Sequence, residues 1–109
     1  MSAPLYQAQA ELYRTLGNPI RVHILELLQN DPRAVRELLA EVDVEPAHLS
    51  QQLAVLRRAC LVKTYRDKGV VMYALATPAV EQILSLGRQA LTGKAPLLAE
   101  FTTAGTGEG

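Results

Sequence analysis

Polar and basic side chains share the outward face of a helix predicted just after Pro46. Three leucines of the segment "PAHLSQQLAVLRRA" form one apolar stripe, so Gln51 and Arg58 point nearly opposite to it. Amide groups hydrogen-bond base edges, small residues such as Ala47 allow close approach, and arginine binds phosphate or guanine. A plain surface helix more often carries Glu and Lys. The pattern therefore favours a surface that contacts nucleic acid.

A basic β-hairpin is predicted directly after this helix. The segment "LVKTYRDKGVVMYALA" has two runs rich in Val, Tyr and Thr separated by Asp67, Lys68 and Gly69, which predict a glycine-bearing turn. Lys63, Arg66 and Lys68 lie on or near the tip of the hairpin. Such a hairpin can extend a DNA-binding surface as a wing, although Lys and Arg are also common at exposed strand edges. Its position right after the polar helix favours the wing.

Charge is segregated along the chain, although the formal net charge is zero with 11 basic and 11 acidic residues. Residues 1–45 carry four basic and seven acidic side chains, residues 46–76 carry five and one, and residues 77–109 carry two and three. A neutral protein with one basic segment can still present a positive surface to phosphates. The alternative is an ordinary solvated face.

Cys60 stands where glycine would normally end the helix, because glycine adopts the left-handed cap conformation without steric cost. Two roles are open. As a filler, the thiol is a small apolar group that tolerates burial. As a redox sensor, it must be exposed and reactive, and without a second cysteine it can form only a capped thiol or a bridge between subunits. We favour the filler.

The inventory of reactive residues argues against a metal site and against catalysis. One cysteine is too few for a disulfide framework or a cysteine-built metal site. His23 lies near the apolar stripe of one predicted helix and His48 lies on the polar face of another, so they do not converge with Cys60. No Gly-rich phosphate loop and no Ser, His and carboxylate set with an evident common location is present. We predict neither an enzyme nor a bound cofactor.

Four further helices are predicted around these elements from their apolar spacing. The segments are "PLYQAQAELYRTLG", "PIRVHILELLQN", "AVRELLAEV" and "AVEQILSLGRQALTG". Gly17 and Asn18 end the first helix, and Asn18 caps the second, which begins at Pro19. Together with the two-stranded hairpin, these segments predict an α+β fold that is mostly α.

The length of 109 residues corresponds to one domain, which we assign to residues 1–93. Residues 94–109 end in Gly and Thr and are expected to form a partly disordered tail. The sequence has no run of about 18 apolar residues, and its start lacks the pattern of a signal peptide. We expect a cytoplasmic protein that does not contact a membrane.

The first and fifth helices carry more apolar side chains than a core of this size can cover. We therefore predict a homodimer in which both helices meet a second copy; the alternative is that both cap the core of a monomer. The predicted interface residues are Leu5, Leu12, Val80, Ile83, Leu84 and Leu91.

The order of the motifs resembles a known family of regulators. The segments "LGNPIRVHILELL", "VRELLAEVDVEPAHLSQQLAVLRRACLV" and "YRDKGVVMYAL" resemble the arsenical-resistance-repressor family of winged helix-turn-helix transcription regulators over about residues 5–92. The resemblance implies a homodimer that sits on a palindromic double-stranded DNA operator and leaves it when an effector binds. It also implies that the third and fourth helices form the helix-turn-helix, the fourth entering the major groove while the hairpin tip reaches the neighbouring backbone or minor groove.

The resemblance assigns DNA contacts to individual residues. The residues that match groove-facing positions of the family are Ala47, His48, Ser50 and Gln51. Arg21 matches an arginine that contacts the DNA backbone, and Gln52 stands where the family often has histidine, in a position to support a phosphate contact. The basic residues expected on the same surface are Arg57, Arg58, Lys63, Arg66 and Lys68.

The chain departs from the family pattern in its turn, its cysteine and its metal ligands. The family's usual turn has glycine before a basic residue, whereas Lys68 precedes Gly69 here, and Cys60 stands where the family usually has glycine. The family's thiolate pair would fall within "ELLAEVD", which has no cysteine, and its Asp and His ligands within "TPAVEQILSLGRQALTGK", which offers only Glu81. We therefore expect an effector of unknown identity that is not a metal ion.

The sequence predicts a sequence-specific transcriptional regulator, namely a homodimeric repressor. The alternative is an effector-independent module that shapes DNA or docks onto another protein. A protein-docking helix is expected to carry aromatic or Met anchors, and the fourth helix has none. DNA is therefore the favoured partner.

Overall fold

A computed structural model describes residues 4–93 as helices arranged around a small antiparallel sheet. The elements in chain order are α1 (Leu5–Leu16), α2 (Pro19–Asn30), β1 (Arg33–Ala34), α3 (Val35–Glu41), α4 (Pro46–Arg58), β2 (Val62–Asp67), β3 (Val70–Leu75) and α5 (Pro78–Thr92). The mostly helical α+β prediction is confirmed. The tail predicted at 94–109 lies outside the described residues. None of the helices within residues 4–93 is long and apolar enough to cross a membrane.

Local sequence signals start the helices where they were predicted. α2, α4 and α5 each begin with proline, whose fixed backbone angle suits the first helical position. The side chain of Asn18 caps α2 by accepting a hydrogen bond of 3.0 Å from the backbone N–H of Arg21. Thr77 caps α5 by accepting one of 3.1 Å from the N–H of Ala79.

The core is aliphatic and takes side chains from α2, α3, α4, α5 and the start of the hairpin. Its buried members are Ile24, Leu25, Leu28, Leu38, Val42, Leu49, Leu53, Leu56, Leu61, Val62, Val80 and Leu84. The three leucines of α4 are among them, so the predicted stripe is confirmed. Burial of each leucine contributes about 1.5–3 kcal/mol, which fixes the rotation of α4 and turns its other faces outward.

α1 is held more loosely than the other helices. None of its residues is buried, and only Leu12 and Leu16 pack against the core from its apolar side. The packing of α1 against the rest of the fold therefore depends on the C-terminal half of the helix.

A third strand joins the predicted two-stranded hairpin. In β1, Arg33 pairs with Tyr73 and Ala34 with Met72, so β3 lies between β1 and β2. A two-residue strand has no periodicity that sequence analysis can detect. It joins the middle of the hairpin to the segment that precedes α3.

The hairpin turn consists of Lys68 and Gly69, because Asp67 and Val70 are already paired. Both turn residues have positive φ, 53° for Lys68 and 81° for Gly69. Positive φ at both central residues is the requirement of the type I′ turn, whose twist matches that of the flanking strands. The turn is therefore tight although its first position is not a glycine or asparagine.

Cys60 ends α4 in the left-handed conformation, with a φ of 61°. The N–H of Cys60 donates to the carbonyl of Arg57 and the N–H of Leu61 donates to that of Leu56, both at 3.0 Å. This pair of bonds is a Schellman cap. The thiol is exposed, so the prediction of a buried filler is wrong. The adjacent Leu61 enters the core instead.

Candidate nucleic-acid interface

The outward face of α4 consists of small and polar side chains. Ala47, Ser50, Gln51 and Arg58 are exposed, whereas the leucine stripe on the other side is buried. The face therefore follows directly from the packing of the stripe. It offers hydrogen-bonding groups without bulky side chains that would keep a groove at a distance.

A hollow of about 480 Å³, with both polar and apolar lining, lies between one flank of α4 and the sheet. Ser50, Arg57 and Arg58 line it from α4, and Tyr73 lines it from β3. The two guanidinium groups can bind phosphate there, which is the contact that positions a protein on a duplex. Tyr73 has no signal in the sequence that marks it for this surface, because only the fold shows which side of β3 faces α4.

The predicted basic residues of the hairpin do not all share one face. Lys63, Arg66 and Lys68 are exposed, but side chains alternate along a strand, so Lys63 and Arg66 point to opposite faces of β2. Nη1 of Arg66 donates to the carbonyl of Gly69 at 3.1 Å. Arg66 therefore folds over the turn, and its guanidinium lies with the Lys68 ammonium near the exposed tip of the hairpin.

On the flank of α4 that faces α2, three half-buried side chains form a hydrogen-bonded chain. Nη1 of Arg21 donates to Oε1 of Gln52 at 3.0 Å, and Nε2 of Gln52 lies 3.4 Å from Nε2 of His48. Nε of Arg21 also donates to the carbonyl of Thr15 at 2.7 Å. The structure thus brings together three predicted DNA-contacting residues, and part of the Arg21 guanidinium is engaged within the protein.

The remaining reactive residues are dispersed. His23 is exposed on α2, where it flanks the apolar stripe, and Cys60 is exposed at the end of α4. Among residues 4–93, no three His, Cys, Asp or Glu side chains form a group that could hold a metal ion.

An apolar groove of about 520 Å³ lies between α1, α2 and α5. Leu16 and Val22 line it together with the predicted interface residues Ile83 and Leu91. The Arg88 guanidinium and the Glu26 carboxylate pair at its edge. The groove exposes apolar surface along the helices that were predicted to meet a second chain.

Two of the predicted interface residues need correction. Val80 and Leu84 are only 5% and 9% exposed, because they pack into the core of the same chain. By contrast, Leu5 is 78% exposed, and Leu86, which sequence analysis left out of the interface, is 62% exposed. Leu12 is half-buried against the core. The apolar surface that α5 exposes therefore includes Leu86 and the groove residues Ile83 and Leu91, but not Val80 or Leu84.

Comparison with known proteins places this geometry in a family. The family pattern described as "Bacterial regulatory protein, arsR family" matches residues 18–64. The uncharacterized HTH-type transcriptional regulator Rv0081 of Mycobacterium tuberculosis is 45% identical over 91 residues, which cover 83% of this chain and 80% of that protein. The crystal structure of Rv0081 superposes with a TM-score of 0.79 at 42% identity, covering 93% of this chain and 99% of that one.

Two further relatives have informative descriptions. The biofilm growth-associated repressor of Agrobacterium fabrum is 40% identical over 67 residues, which cover 62% of this chain and 57% of that protein. A Mycobacterium bovis domain described as a homodimeric winged helix-turn-helix DNA-binding domain superposes with a TM-score of 0.72 at 24% identity, covering 83% of this chain and 89% of that one. The chain belongs to the arsR family of bacterial regulatory proteins and has a winged helix-turn-helix fold.

Proposed function

We propose that the chain is a homodimeric transcriptional repressor that binds a double-stranded DNA operator through α4 and the hairpin. The observation that carries this proposal is the outward face of α4, where small and amide side chains lie beside a hollow lined by two arginines. In the winged helix-turn-helix architecture this helix is the one that enters the major groove. The repressor described in A. fabrum supports the direction of regulation.

The proposed contacts fall into two groups. Ala47, Ser50 and Gln51 contact base edges, and Gln51 provides the amide that can bond an adenine with two hydrogen bonds. The residues proposed to contact the backbone are Arg21, Arg57, Arg58, Lys63, Arg66 and Lys68. Backbone contacts supply affinity, whereas base contacts supply sequence preference.

The proposed dimer forms through α1 and α5. Exposed apolar side chains on both helices support it, since a second copy would cover the groove and the side chains of Leu5 and Leu86. A homodimer also matches the symmetry of a palindromic operator. The operator requires that the chain act in the cytoplasm. We further propose that a non-metal effector releases the dimer from DNA.

Fluorescence anisotropy with a labelled duplex from the region upstream of the chain's own coding sequence tests the proposal. A random duplex of equal length is the control, and both are titrated across a salt series. We expect the upstream duplex to bind more tightly, with affinity that falls steeply as salt rises because the protein displaces counterions. Equal affinity for both duplexes would favour a DNA-shaping module, and no binding to either would favour a protein-docking module.

Gln51→Ala separates base recognition from backbone binding. This variant should lose much of the preference for the upstream duplex, by about 1–3 kcal/mol, while keeping its affinity for random DNA. A Gln51→Ala protein with unaltered preference would contradict the assignment of Gln51 to a base edge.

A further inference from the structure

The hydrogen bonds between α2 and α4 restrict the chemistry of His48. Arg21 has only donors, so the group of Gln52 that lies 3.0 Å from Nη1 must be the carbonyl oxygen Oε1. This contact decides the orientation of the Gln52 amide, which otherwise has two nearly equivalent settings. The NH2 group of Gln52 must then face His48.

The NH2 group of Gln52 can only donate, and it lies 3.4 Å from Nε2 of His48. Nε2 must therefore accept this hydrogen bond and carry no proton. A neutral imidazole with an unprotonated Nε2 has its hydrogen on Nδ1. An imidazolium would place two donors against each other. The network therefore selects one tautomer, in which His48 has a single donor at Nδ1.

Arg21 is itself held in place. Its Nε donates to the carbonyl of Thr15 at 2.7 Å, in the last turn of α1, where carbonyl groups have no partner within the helix. Because the guanidinium is planar and forms bonds on two sides, it cannot rotate without losing one of them. The orientation of the Gln52 amide therefore depends on the Arg21 guanidinium, which is itself bonded to the end of α1.

We propose that Arg21 and Gln52 are positioning residues that fix the tautomer of His48, so that His48 contacts the operator as a hydrogen-bond donor through Nδ1. The proposal rests on the proposed DNA-binding function and adds a role for residues that do not themselves read bases. His48 lies in the first turn of α4, the part of a recognition helix that reaches base edges. The DNA group opposite it must be an acceptor: N7 or O6 of guanine, N7 of adenine, or a phosphate oxygen.

Long-range ¹H–¹⁵N correlation of the two imidazoles in the free, full-length protein tests the tautomer without DNA. At about pH 8.5, above the ordinary titration range of histidine, His48 should show its proton on Nδ1. The exposed His23 is the internal reference, and His23→Gln assigns the signals. A His48 imidazole with its proton on Nε2 would overturn the proposal, because Gln52 would then have no acceptor there.

Gln52→Glu tests whether residue 52 controls the position of the proton on the His48 imidazole, which would not change if Gln52 only supported the fold. The carboxylate keeps the bond from Arg21 but also accepts on its other side, so the proton of His48 should move to Nε2. A fold check by circular dichroism accompanies the measurement. An unchanged Nδ1 tautomer in folded Gln52→Glu would show that Gln52 does not control the imidazole and would overturn the proposal.

The DNA step is tested by comparing His48→Ala with the unmodified protein on the upstream duplex and on single-base variants of it. We expect an affinity loss of about 5- to 100-fold. If His48 contacts a base, His48→Ala should lower the affinity for every duplex except the one in which that base is changed. If His48 contacts a phosphate, the affinity should fall by a similar factor on all duplexes. Both outcomes support the proposal. Unchanged affinity in His48→Ala would overturn it while leaving the proposed function intact, whereas an unmodified protein that binds no duplex would overturn both.

Discussion

Gln52 joins α4 to α2 by accepting a hydrogen bond of 3.0 Å from Nη1 of Arg21, across 31 positions of sequence. The same guanidinium binds the carbonyl of Thr15 at the end of α1. One arginine therefore connects the loosely packed first helix to the flank of the proposed recognition helix. The position of α4 depends on this polar link as well as on its leucine stripe.

Arg21→Ala should destabilise the fold by about 1.5–3 kcal/mol, because it removes two charge-assisted hydrogen bonds and takes their donor from the carbonyl of Thr15 and from Oε1 of Gln52, which belong to half-buried residues. Urea unfolding followed by circular dichroism measures the change in the free energy of unfolding. Arg14→Ala is the matched control, since the pair of Arg14 with Glu11 lies on the surface of α1 with about two-thirds of each side chain exposed. It should cost less than about 1 kcal/mol. Equal losses in the two variants would contradict a special role for Arg21.

Cys60→Gly should raise the free energy of unfolding by about 0.5–1 kcal/mol. A left-handed conformation costs a non-glycine residue about 1–2 kcal/mol, and glycine removes this cost. The greater conformational freedom of glycine in the unfolded chain offsets part of the stabilisation. Because the thiol is exposed, the change removes little packing. Cys60→Ala is the control and should not stabilise, because alanine retains the strain.

Thermal unfolding of the two Cys60 variants under reducing conditions measures the difference. If Cys60→Gly is less stable than Cys60→Ala, the φ of 61° is not a source of strain at this position.

Local sequence signals predicted most of the helices and the hairpin, whereas they did not predict contacts between segments that are distant in sequence. The leucine stripe of α4, the Asn18 cap and the glycine-bearing turn of the hairpin depend on residues within a few positions of one another, so their spacing reveals them, although Asp67 belongs to β2 and not to the turn. The link between Arg21 and Gln52 depends on how α2 packs against α4. No local pattern encodes that packing.

The candidate DNA surface and the candidate dimer interface were predicted only in part, for the same reason. The outward position of Gln51 follows from the stripe, but the burial of Val80 and Leu84 in their own core depends on the rotation of α5. Apolar spacing shows that a helix has a buried face and does not show which chain buries it. β1 is too short to have a pattern at all.

Lys68→Asn should separate turn geometry from charge. Asparagine tolerates positive φ better than lysine, so the hairpin should be as stable or slightly more stable. Loss of the exposed cation should weaken binding to all duplexes by a similar factor and reduce the salt slope by about one. Anisotropy titrations over a salt series measure both effects. If affinity and slope stay unchanged while the fold is intact, the tip of the hairpin does not contact the DNA backbone.

Leu86→Lys should weaken the proposed dimer. Leu86 is 62% exposed, and its helical spacing places it beside Ile83 on the apolar flank of α5. A second copy packed there would have to bury the new ammonium group, which is strongly unfavourable without a partner. Ser85→Lys is the matched control, because it adds the same charge at the neighbouring exposed position.

Light scattering after size exclusion measures the outcome against the chain mass of 11.9 kDa. The unmodified protein and Ser85→Lys should have twice this mass, and Leu86→Lys should shift towards the monomer as the protein is diluted. Operator affinity should fall with it, since a monomer contacts one half-site where the dimer contacts two. A Leu86→Lys protein that keeps the dimer mass at every concentration would place the interface elsewhere on the chain. An unmodified protein with the mass of one chain would reject the dimer and favour the arrangement in which α1 and α5 cap a monomer.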